Sequence, residues 1–136
     1  MVTQSSANGE PALRILIADD EDVIRELIVA TLEGDPRFIL LEARNGEEAL
    51  ELAARERPDM AILDIRMPRT DGIATCAALR TAAATSAIPV LILTALNQRS
   101  DVERARAAGA TDYFVKPFVP SELLTKVYDL LESVAA

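Results

Sequence analysis

Acidic side chains follow two apolar runs of the chain, and their positions suggest a metal site. Asp64 comes directly after residues 60–63, and Asp19 and Asp20 come directly after residues 15–18. If the two runs are neighbouring parallel strands, the three carboxylates lie together at the carboxyl edge of a sheet, where open α/β sheets bind their ligands. Carboxylates at such short distances repel one another unless a cation or a proton lies between them. Because Mg²⁺ prefers oxygen ligands of this kind, the spacing predicts a magnesium site.

Two further polar residues end apolar runs later in the chain. Thr94 follows residues 90–93, and Lys116 follows residues 113–115. A threonine hydroxyl can donate a hydrogen bond to a phosphoryl oxygen, and the compact charge of a lysine can pair with Asp64 or with a phosphate. Taken singly, such residues are also typical of helix caps, loops and charged surfaces. Their common position at the ends of predicted strands favours one shared site.

The elements that must position these residues alternate in a regular order. Nearly continuous aliphatic runs, as in parallel strands covered on both faces, predict strands at residues 13–18, 38–42, 60–63, 90–93 and 113–115. Helical spacing predicts helices at residues 24–32, 47–57, 71–80, 101–108 and from Ser121 onward. Five βα repeats predict an α/β fold, with a five-stranded parallel doubly wound sheet, right-handed crossovers and helices on both faces. This fold class alone does not define a function.

Local signals mark the ends of two helices. Ser121 is the predicted N-cap of the last helix, and Gly109 suits a left-handed C-cap after the fourth. The fourth helix, residues 101–108, carries little large apolar surface. We therefore expect it to be weakly anchored and able to move.

Composition excludes several classes of protein. The 136 residues include 22 acidic and 14 basic ones, a net charge of −8, which argues against a general surface for nucleic acid or anionic membranes. The sequence has no histidine, which excludes Ser–His and Cys–His catalysis, histidine zinc sites and a histidine phosphocarrier. The single cysteine, Cys76, excludes an internal disulfide.

The length of the chain suits one domain with a single sizeable core. Residues 1–11 are mostly polar and are predicted to form a disordered leader, so the folded domain is predicted at residues 12–136. The sequence contains no signal-peptide pattern and no apolar stretch long enough to span a bilayer. We therefore expect a cytoplasmic protein without a membrane partner.

Five segments in a fixed order carry a resemblance to a known family. They are residues 15–21, 43–50, 63–68 with Asp71 and Gly72, 93–95, and 113–118. Together they resemble the receiver domain of two-component response regulators, and the resemblance covers residues 13–133. It implies a flavodoxin-like sheet with strand order 2-1-3-4-5. It also implies a phospho-accepting signalling switch that takes part in its own phosphorylation and slow autodephosphorylation, rather than an enzyme.

The resemblance implies a role for each acidic residue of the predicted site. Asp64 matches the aspartate that receives a phosphoryl group from a phosphohistidine on a partner kinase. Asp20 matches the direct Mg²⁺ ligand, and Asp19 matches the acid that holds the ion, often through water. The backbone carbonyl of Arg66 matches the main-chain ligand of the metal.

The resemblance also implies how the switch would work. Thr94 and Lys116 match the switch hydroxyl and the phosphate-binding lysine, and Tyr113 matches the aromatic residue that turns inward when the threonine moves. The peptide bond between Lys116 and Pro117 matches one that is cis in the family, as proline allows. These movements would change a partner surface formed by the fourth helix, the fifth strand and the fifth helix.

Three residues depart from the usual pattern or occupy variable positions. Thr70 stands where the family often has methionine, and we expect only a packing effect. Arg66 and Leu96 lie two residues beyond Asp64 and Thr94, at positions that tune phosphate lifetime in the family. We predict that their bulk limits the access of hydrolytic water and slows dephosphorylation.

Other classes of protein remain as alternatives to the phospho-switch. A phosphatase of the haloacid dehalogenase kind needs a second aspartate two residues after the nucleophile, and this chain has Arg66 there. A nucleotide-binding domain is disfavoured because no Gly-x-x-x-x-Gly-Lys-Ser/Thr loop follows a strand. A binding module that works by contact alone would take up no phosphoryl group from acetyl phosphate.

Partners follow from the resemblance. The phosphoryl donor is a sensor histidine kinase or a histidine phosphotransfer protein, and the output is a downstream protein target or an attached domain, with no direct nucleic-acid contact by this domain. Kinase docking in the family points to Val23, Arg25, Glu26, Val29 and Phe118, although each is equally typical of ordinary surface or core-edge positions. Basic residues for a dimer through the last two helices are sparse, with Lys126 the main candidate, so we expect a monomer or weak dimer.

Overall fold

Strands and helices alternate along the chain, as their apolar spacing predicts. A computed structural model describes residues 11–95 and 99–135, so nearly all of the predicted leader, and Leu96, lie outside the described residues. The strands are β1 (Leu13–Ala18), β2 (Phe38–Ala43), β3 (Met60–Asp64), β4 (Val90–Ala95) and β5 (Asp112–Lys116). The helices are α1 (Asp22–Leu32), α2 (Gly46–Glu56), α3 (Gly72–Thr81), α4 (Arg99–Ala107) and α5 (Pro120–Ala135).

The five strands form one parallel sheet with the order β2-β1-β3-β4-β5. The predicted doubly wound, flavodoxin-like sheet of order 2-1-3-4-5 is thereby confirmed. Ala18 at the end of β1 pairs with Leu63 of β3, and Asp64 pairs with Leu93 of β4. This register brings the carboxyl ends of the central strands level with one another, so residues that end or follow them share one edge.

Alternate residues of each strand point to opposite faces of the sheet, and helices pack on both faces. On one face, Ile15 and Ile17 of β1 belong to an apolar cluster with residues of α1 and α5, including Ile28 and Leu123. On the other face, Leu16 belongs to a cluster that draws on α2, α3 and α4. The central strands are therefore almost wholly aliphatic, and polar residues are tolerated chiefly at their ends.

Helix ends agree with the sequence signals in one case and differ in another. Gly109 follows α4 with a φ of +101°, the left-handed conformation predicted for it. The prediction that Ser121 caps the last helix is wrong, because α5 begins at Pro120. The amide groups of Glu122 and Leu123 donate to the carbonyl of Val119. Proline is well suited to the first position of a helix, where no N–H is needed.

None of the helices within residues 11–95 and 99–135 is both long and apolar enough to cross a membrane.

Candidate functional site

Two buried acids and a lysine meet at the carboxyl edge of the sheet. Asp19 follows β1 and is fully buried, and Asp64 is the last residue of β3 and only 4% exposed. Lys116, the last residue of β5, reaches back across the edge. Its Nζ lies 3.1 Å from Oδ1 of Asp64 and 3.5 Å from Oδ2 of Asp19. The convergence of Asp64 and Lys116 expected from the strand ends is therefore present.

Four acidic side chains form one cluster at this edge. One carboxylate oxygen from each of Asp19, Asp20, Glu21 and Asp64 lies within 4.8 Å of the others. Neither Asp19 nor Asp20 is the N-cap of α1, because Glu21 holds that position and no side-chain hydrogen bond caps it. Instead, Oδ1 of Asp19 accepts a hydrogen bond from the Glu21 amide. The two aspartates are therefore placed at the site without being used to begin the helix.

Glu21 is the member of this cluster that the sequence analysis did not single out. Its position directly after Asp19 and Asp20 is the signal that could have included it. Glu21 and Asp20 are both exposed, whereas Asp19 and Asp64 are buried. The cluster therefore has a buried floor and a solvent-facing rim.

The electrostatics of the cluster favour a cation. Burial, followed by the negative charge of Asp19, raises the pKa of Asp64 to about 6. Burial also raises the pKa of Asp19 above its ordinary value. Burial lowers the pKa of Lys116, but the charges of Asp64 and Asp19 more than offset this, and the net shift is upward. One lysine charge does not fully compensate the two buried carboxylates.

The donor atoms of the cluster fit a hard divalent cation. All four side chains offer carboxylate oxygens, and the two exposed ones leave an approach from solvent. Mg²⁺ is bound in proteins by one or a few carboxylates while it keeps several water ligands. The cluster offers no sulfur or imidazole ligand of the kind that zinc or copper prefers.

Thr94 and Tyr113 lie on the strands beside the acidic cluster. Thr94 is in β4 and 3% exposed, and its hydroxyl lies 3.5 Å from the carbonyl oxygen of Ala95. Tyr113 of β5 is half-buried, and the guanidinium carbon of Arg106 in α4 lies 5.6 Å from its ring centroid. The Lys116–Pro117 peptide bond is cis, as the family resemblance implies.

Hydrogen bonds and a close backbone approach fix the loop between β3 and α3 next to Asp64. Asp71 is the N-cap of α3, and its side chain accepts a hydrogen bond from the amide of Ala74. The amide of Gly72 donates to the carbonyl of Ile65 at 2.9 Å. A Cβ on Gly72 would lie 2.3 Å from the carbonyl oxygen of Asp64, a distance that no side chain can adopt. A larger residue at position 72 would therefore force α3 or the backbone of Asp64 to shift.

Thr70 lies at a second close approach in the same loop. A Cβ on Gly46, the first residue of α2, would lie 2.0 Å from the carbonyl oxygen of Thr70. Thr70 thus contacts the start of α2 through its backbone as well as its side chain, and a packing role for this position remains our expectation.

An open cleft of about 530 Å³ lies beside the acidic cluster. Its walls come from the end of β1, the β3–α3 loop and α4, and they include Asp20, Arg66, Asp71, Asp101 and Arg104. Arg66 therefore lies at the mouth of the site, and its predicted effect on the access of water remains our expectation. The matching prediction for Leu96 falls outside the described residues.

Arg25, one of the residues considered for kinase docking, lies in a buried environment. It is 7% exposed, whereas Val23 and Glu26 on the same helix are exposed. Its guanidinium donates to the backbone carbonyl of Asp19 at 2.8 Å and also contacts the carboxylates of Asp22 and Glu42. Arg25 therefore holds the end of β1 in place from within the protein and offers little surface to a partner.

Lys126, the candidate dimer residue, is paired within the chain. Its Nζ lies 2.8 Å from Oδ2 of Asp112. A contact between subunits through Lys126 would have to compete with this ion pair.

The fold and the site together define a class of protein. A doubly wound parallel sheet carries at its carboxyl edge a cluster of acids opposed by a lysine, with a threonine on the adjacent strand. This is the arrangement of a phosphoacceptor signalling domain. The chain belongs to the response regulator receiver domain family, which it matches over residues 15–128.

Known proteins of this kind are similar in sequence and in structure. The chain is 44% identical over 123 residues to the transcriptional regulatory protein PdtaR of Mycobacterium tuberculosis strain CDC 1551 / Oshkosh, over 90% of this chain and 58% of that protein. The high-resolution structure of chemotaxis response regulator CheY4 of Vibrio cholerae superimposes with a TM-score of 0.82 at 31% identity, covering 88% of this chain and 98% of that one. The signal receiver domain of a signal transduction histidine kinase from Syntrophus aciditrophicus gives a TM-score of 0.83 at 36% identity, covering 90% and 92%.

The chain spans between half and three fifths of the length of the first curated relatives it matches. The relation therefore concerns the receiver domain. As a member of this family the chain is a phosphoacceptor domain of the two-component signalling kind.

Proposed function

We propose that Asp64 is the phosphoacceptor and that it receives a phosphoryl group from a sensor histidine kinase or a histidine phosphotransfer protein in a Mg²⁺-dependent reaction. The observation that carries this assignment is the placement of the Asp64 carboxylate. It ends the central strand β3, lies 3.1 Å from Lys116 and shares a cluster with three other acids. Asp19 is more deeply buried and is held by the Glu21 amide, so it is less suited to attack a phosphorus atom.

The transfer replaces one bond to phosphorus with another. A carboxylate oxygen of Asp64 attacks the phosphorus of the donor phosphohistidine, and the phosphorus–nitrogen bond breaks as the phosphorus–oxygen bond forms. The electron pair of the broken bond returns to the imidazole, which takes a proton from solvent. Such a reaction requires in-line positioning and compensation of the charge on the phosphoryl oxygens. Lys116 supplies one positive charge at the required place.

The acidic cluster supports the assignment of the metal ligands. Asp19, Asp20, Asp64 and the backbone carbonyl of Arg66 would hold Mg²⁺, with Asp20 on the exposed side of the cluster. When bound, the ion would neutralise negative charge on the acids and on the phosphoryl group. Glu21 lies close enough to contribute through water or by its charge.

Thr94 and Tyr113 would transmit the modification to the surface. Lys116 already contacts Asp64 and could bind the new dianionic group from its present position, whereas Thr94 would move toward it and Tyr113 would turn into the space that Thr94 leaves. The surface formed by α4, β5 and α5 would then change. A full reversal of such an equilibrium needs about 5.5 kcal/mol of differential stabilisation. Charge-assisted hydrogen bonds, at roughly 1.5–3 kcal/mol each, are sufficient in number to supply it.

The remaining assignments concern the setting of the switch. The receiver domain would occupy residues 12–136, act in the cytoplasm as a monomer or weak dimer, and signal to a protein target or output domain without binding nucleic acid itself. It would remove its own phosphoryl group slowly, because the bulk of Arg66 and Leu96 would limit the access of hydrolytic water.

Acetyl phosphate provides the experiment that tests this function. The protein is incubated with acetyl phosphate in Mg²⁺ or in excess chelator, and the intact mass is measured. We expect the uptake of one phosphoryl group that needs Mg²⁺ and is lost in base. Asp64→Asn should take up none, whereas Asp59→Asn, at the opposite end of β3, should behave as the unmodified protein does. Uptake by Asp64→Asn, or no uptake by the wild type, would refute the proposal.

A further inference from the structure

An ion pair joins the β3–α3 loop to α4 across the mouth of the site. A guanidinium nitrogen of Arg66 lies 3.4 Å from Oδ2 of Asp101. Arg66 is two residues beyond Asp64, whereas Asp101 belongs to the first turn of α4. Both residues line the cleft beside the acidic cluster. The pair therefore bridges the segment that carries the phosphoacceptor and the helix that is expected to move.

Asp101 is an unusual anchor for a helix. Its side chain is 8% exposed, and Asp101 and Ala105 are the buried residues of α4. A helix with so little apolar contact gains little from hydrophobic burial. The attachment of α4 at the site therefore depends on how the charge of Asp101 is compensated.

Asp101 has a second partner within its own helix. A guanidinium nitrogen of Arg104 lies 3.3 Å from Oδ1 of Asp101, at the i,i+3 spacing of a helix. Arg104 moves together with Asp101 when α4 moves, whereas Arg66 does not. If Arg66 were withdrawn, the carboxylate of Asp101 would keep one positive neighbour. The loss of the bridge would then not leave a buried charge uncompensated.

We propose that Arg66 is a phosphorylation-sensing residue that exchanges Asp101 for the phosphoryl group on Asp64 and thereby releases α4 from the β3–α3 loop. The inference rests on the proposed function, because it needs a phosphoryl group at Asp64. It adds a route to α4 that is separate from Thr94 and Tyr113, which reach the surface through β4 and β5.

The geometry favours such an exchange. The Arg66 side chain is 71% exposed, so its guanidinium can reorient without disturbing the core. Its present contact with Asp101 is long for a charged hydrogen bond, which is commonly 2.7–2.9 Å. A phosphoryl group offers more negative charge and the bidentate oxygen geometry that arginine binds best. Modification of Asp64 would place that group next to this cleft, because Asp20 both lines the cleft and belongs to the acidic cluster with Asp64.

Hydrogen exchange of α4 measures the release. Wild type, Arg66→Gln and Arg104→Gln are compared unmodified and in excess acetyl phosphate with Mg²⁺, and the adduct on each is verified by intact mass. The two variants form a matched pair, because each removes one arginine from Asp101 but only Arg66 bridges two elements. A partly exposed ion pair of this kind predicts exchange about two- to fivefold faster in α4 of the wild type once it is phosphorylated.

The variants should differ in this response. Arg66→Gln should exchange faster than the wild type before phosphorylation and lose at least half of the further increase, while Arg104→Gln should keep the increase. An unchanged increase in Arg66→Gln, or an equal loss in Arg104→Gln, with the adduct present in each, would overturn the inference alone. Absence of the adduct from the wild type would refute the proposed function and the inference with it.

Discussion

Lys116 lies between two buried carboxylates and compensates them only in part. Its Nζ contacts both Asp64 and Asp19, and burial together with the charge of Asp19 raises the pKa of Asp64 to about 6. The site is thus electrostatically unfavourable without an additional cation. A cluster of this kind lowers stability in the metal-free protein, and groups with such perturbed pKa values are typical of functional sites.

The electrostatic cost of ionising Asp64 should appear in the pH dependence of the free energy of unfolding. Because its pKa lies near 6 in the folded state and near 3.8 in the unfolded chain, the folded state binds the proton more tightly. The stabilisation of the folded state by protonated Asp64 is fully present below pH 3.8 and is lost as the pH rises through 6. Asp64→Asn should therefore raise the free energy of unfolding of the metal-free protein at neutral pH by about 1–3 kcal/mol.

Urea unfolding in chelator, at acidic and at neutral pH, checks this expectation. The gain from Asp64→Asn should shrink at the lower pH, where the wild-type carboxyl is protonated. Asp59→Asn serves as the control, since Asp59 lies at the other end of β3. A variant no more stable than the wild type at neutral pH would contradict the electrostatic account of the site.

Individual residues differ in how well the sequence predicts them. Asp19, Asp64, Thr94 and Lys116 were predicted at one site because each ends or follows a strand, and parallel strands end together. Arg25 was not predicted to be internal, because a long side chain on α1 can point to solvent or fold back to the end of β1. The packing of α1 against β1 and β2 determines which of these two orientations the Arg25 side chain adopts. The Arg66–Asp101 pair depends in the same way on how α4 packs.

The β3–α3 connection is the element that fixes the position of Asp64. Gly72 begins α3 directly against the backbone of Asp64, and Asp71 caps the helix. The site is therefore built from a strand end supported by a helix N-terminus, with little freedom between them. A substitution in this connection should therefore displace the backbone of Asp64 without altering its side chain.

Gly72→Ala tests this connection, and Gly34→Ala is its matched control. A Cβ at position 72 would collide with backbone atoms of Asp64 and Ile65, whereas a Cβ at Gly34 would meet nothing within 4 Å. We expect Gly72→Ala to lower the free energy of unfolding by about 1–3 kcal/mol and to slow phosphoryl uptake. Gly34→Ala should be neutral or stabilise the protein by up to about 1 kcal/mol.

Urea unfolding and the rate of uptake from acetyl phosphate provide the two readouts. If Gly72→Ala matched Gly34→Ala in both, the close approach of α3 to Asp64 would not constrain the site.

Sequence patterns predicted the elements better than their ends. All five strands and five helices were predicted, because aliphatic runs and helical spacing are long enough to be distinctive. β3, β4 and β5 extend further than their apolar residues, since Asp64, Thr94 and Lys116 continue the strand pairing beyond them. The start of α5 was misplaced because Pro120 and Ser121 both suit a helix start, and the carbonyl of Val119 decides between them.

The proposed signalling surface is the face formed by α4, β5 and α5. The Lys126–Asp112 ion pair engages within one chain the lysine that is the main candidate for a dimer through this face. The net charge of −8 also disfavours self-association at low ionic strength. A monomer or weak dimer is therefore the expected state of the protein.

Sedimentation velocity with and without beryllofluoride, a phosphoryl mimic, tests the association state. We expect a monomer without the mimic and, at most, weak association with it. Lys126→Gln should leave the unmodified protein monomeric. A tight dimer in both states would contradict this expectation.

We expect Asp64, and no other residue of the acidic cluster, to carry the phosphoryl group. Borohydride reduces an aspartyl phosphate to homoserine, so treatment of the phosphorylated protein followed by peptide sequencing in a mass spectrometer locates the modified residue. Homoserine at position 64, formed only when Mg²⁺ and a phosphodonor are both present, is the predicted result. Homoserine at position 19 or 20, or at none of the three, would contradict the assignment of the phosphoryl group to Asp64.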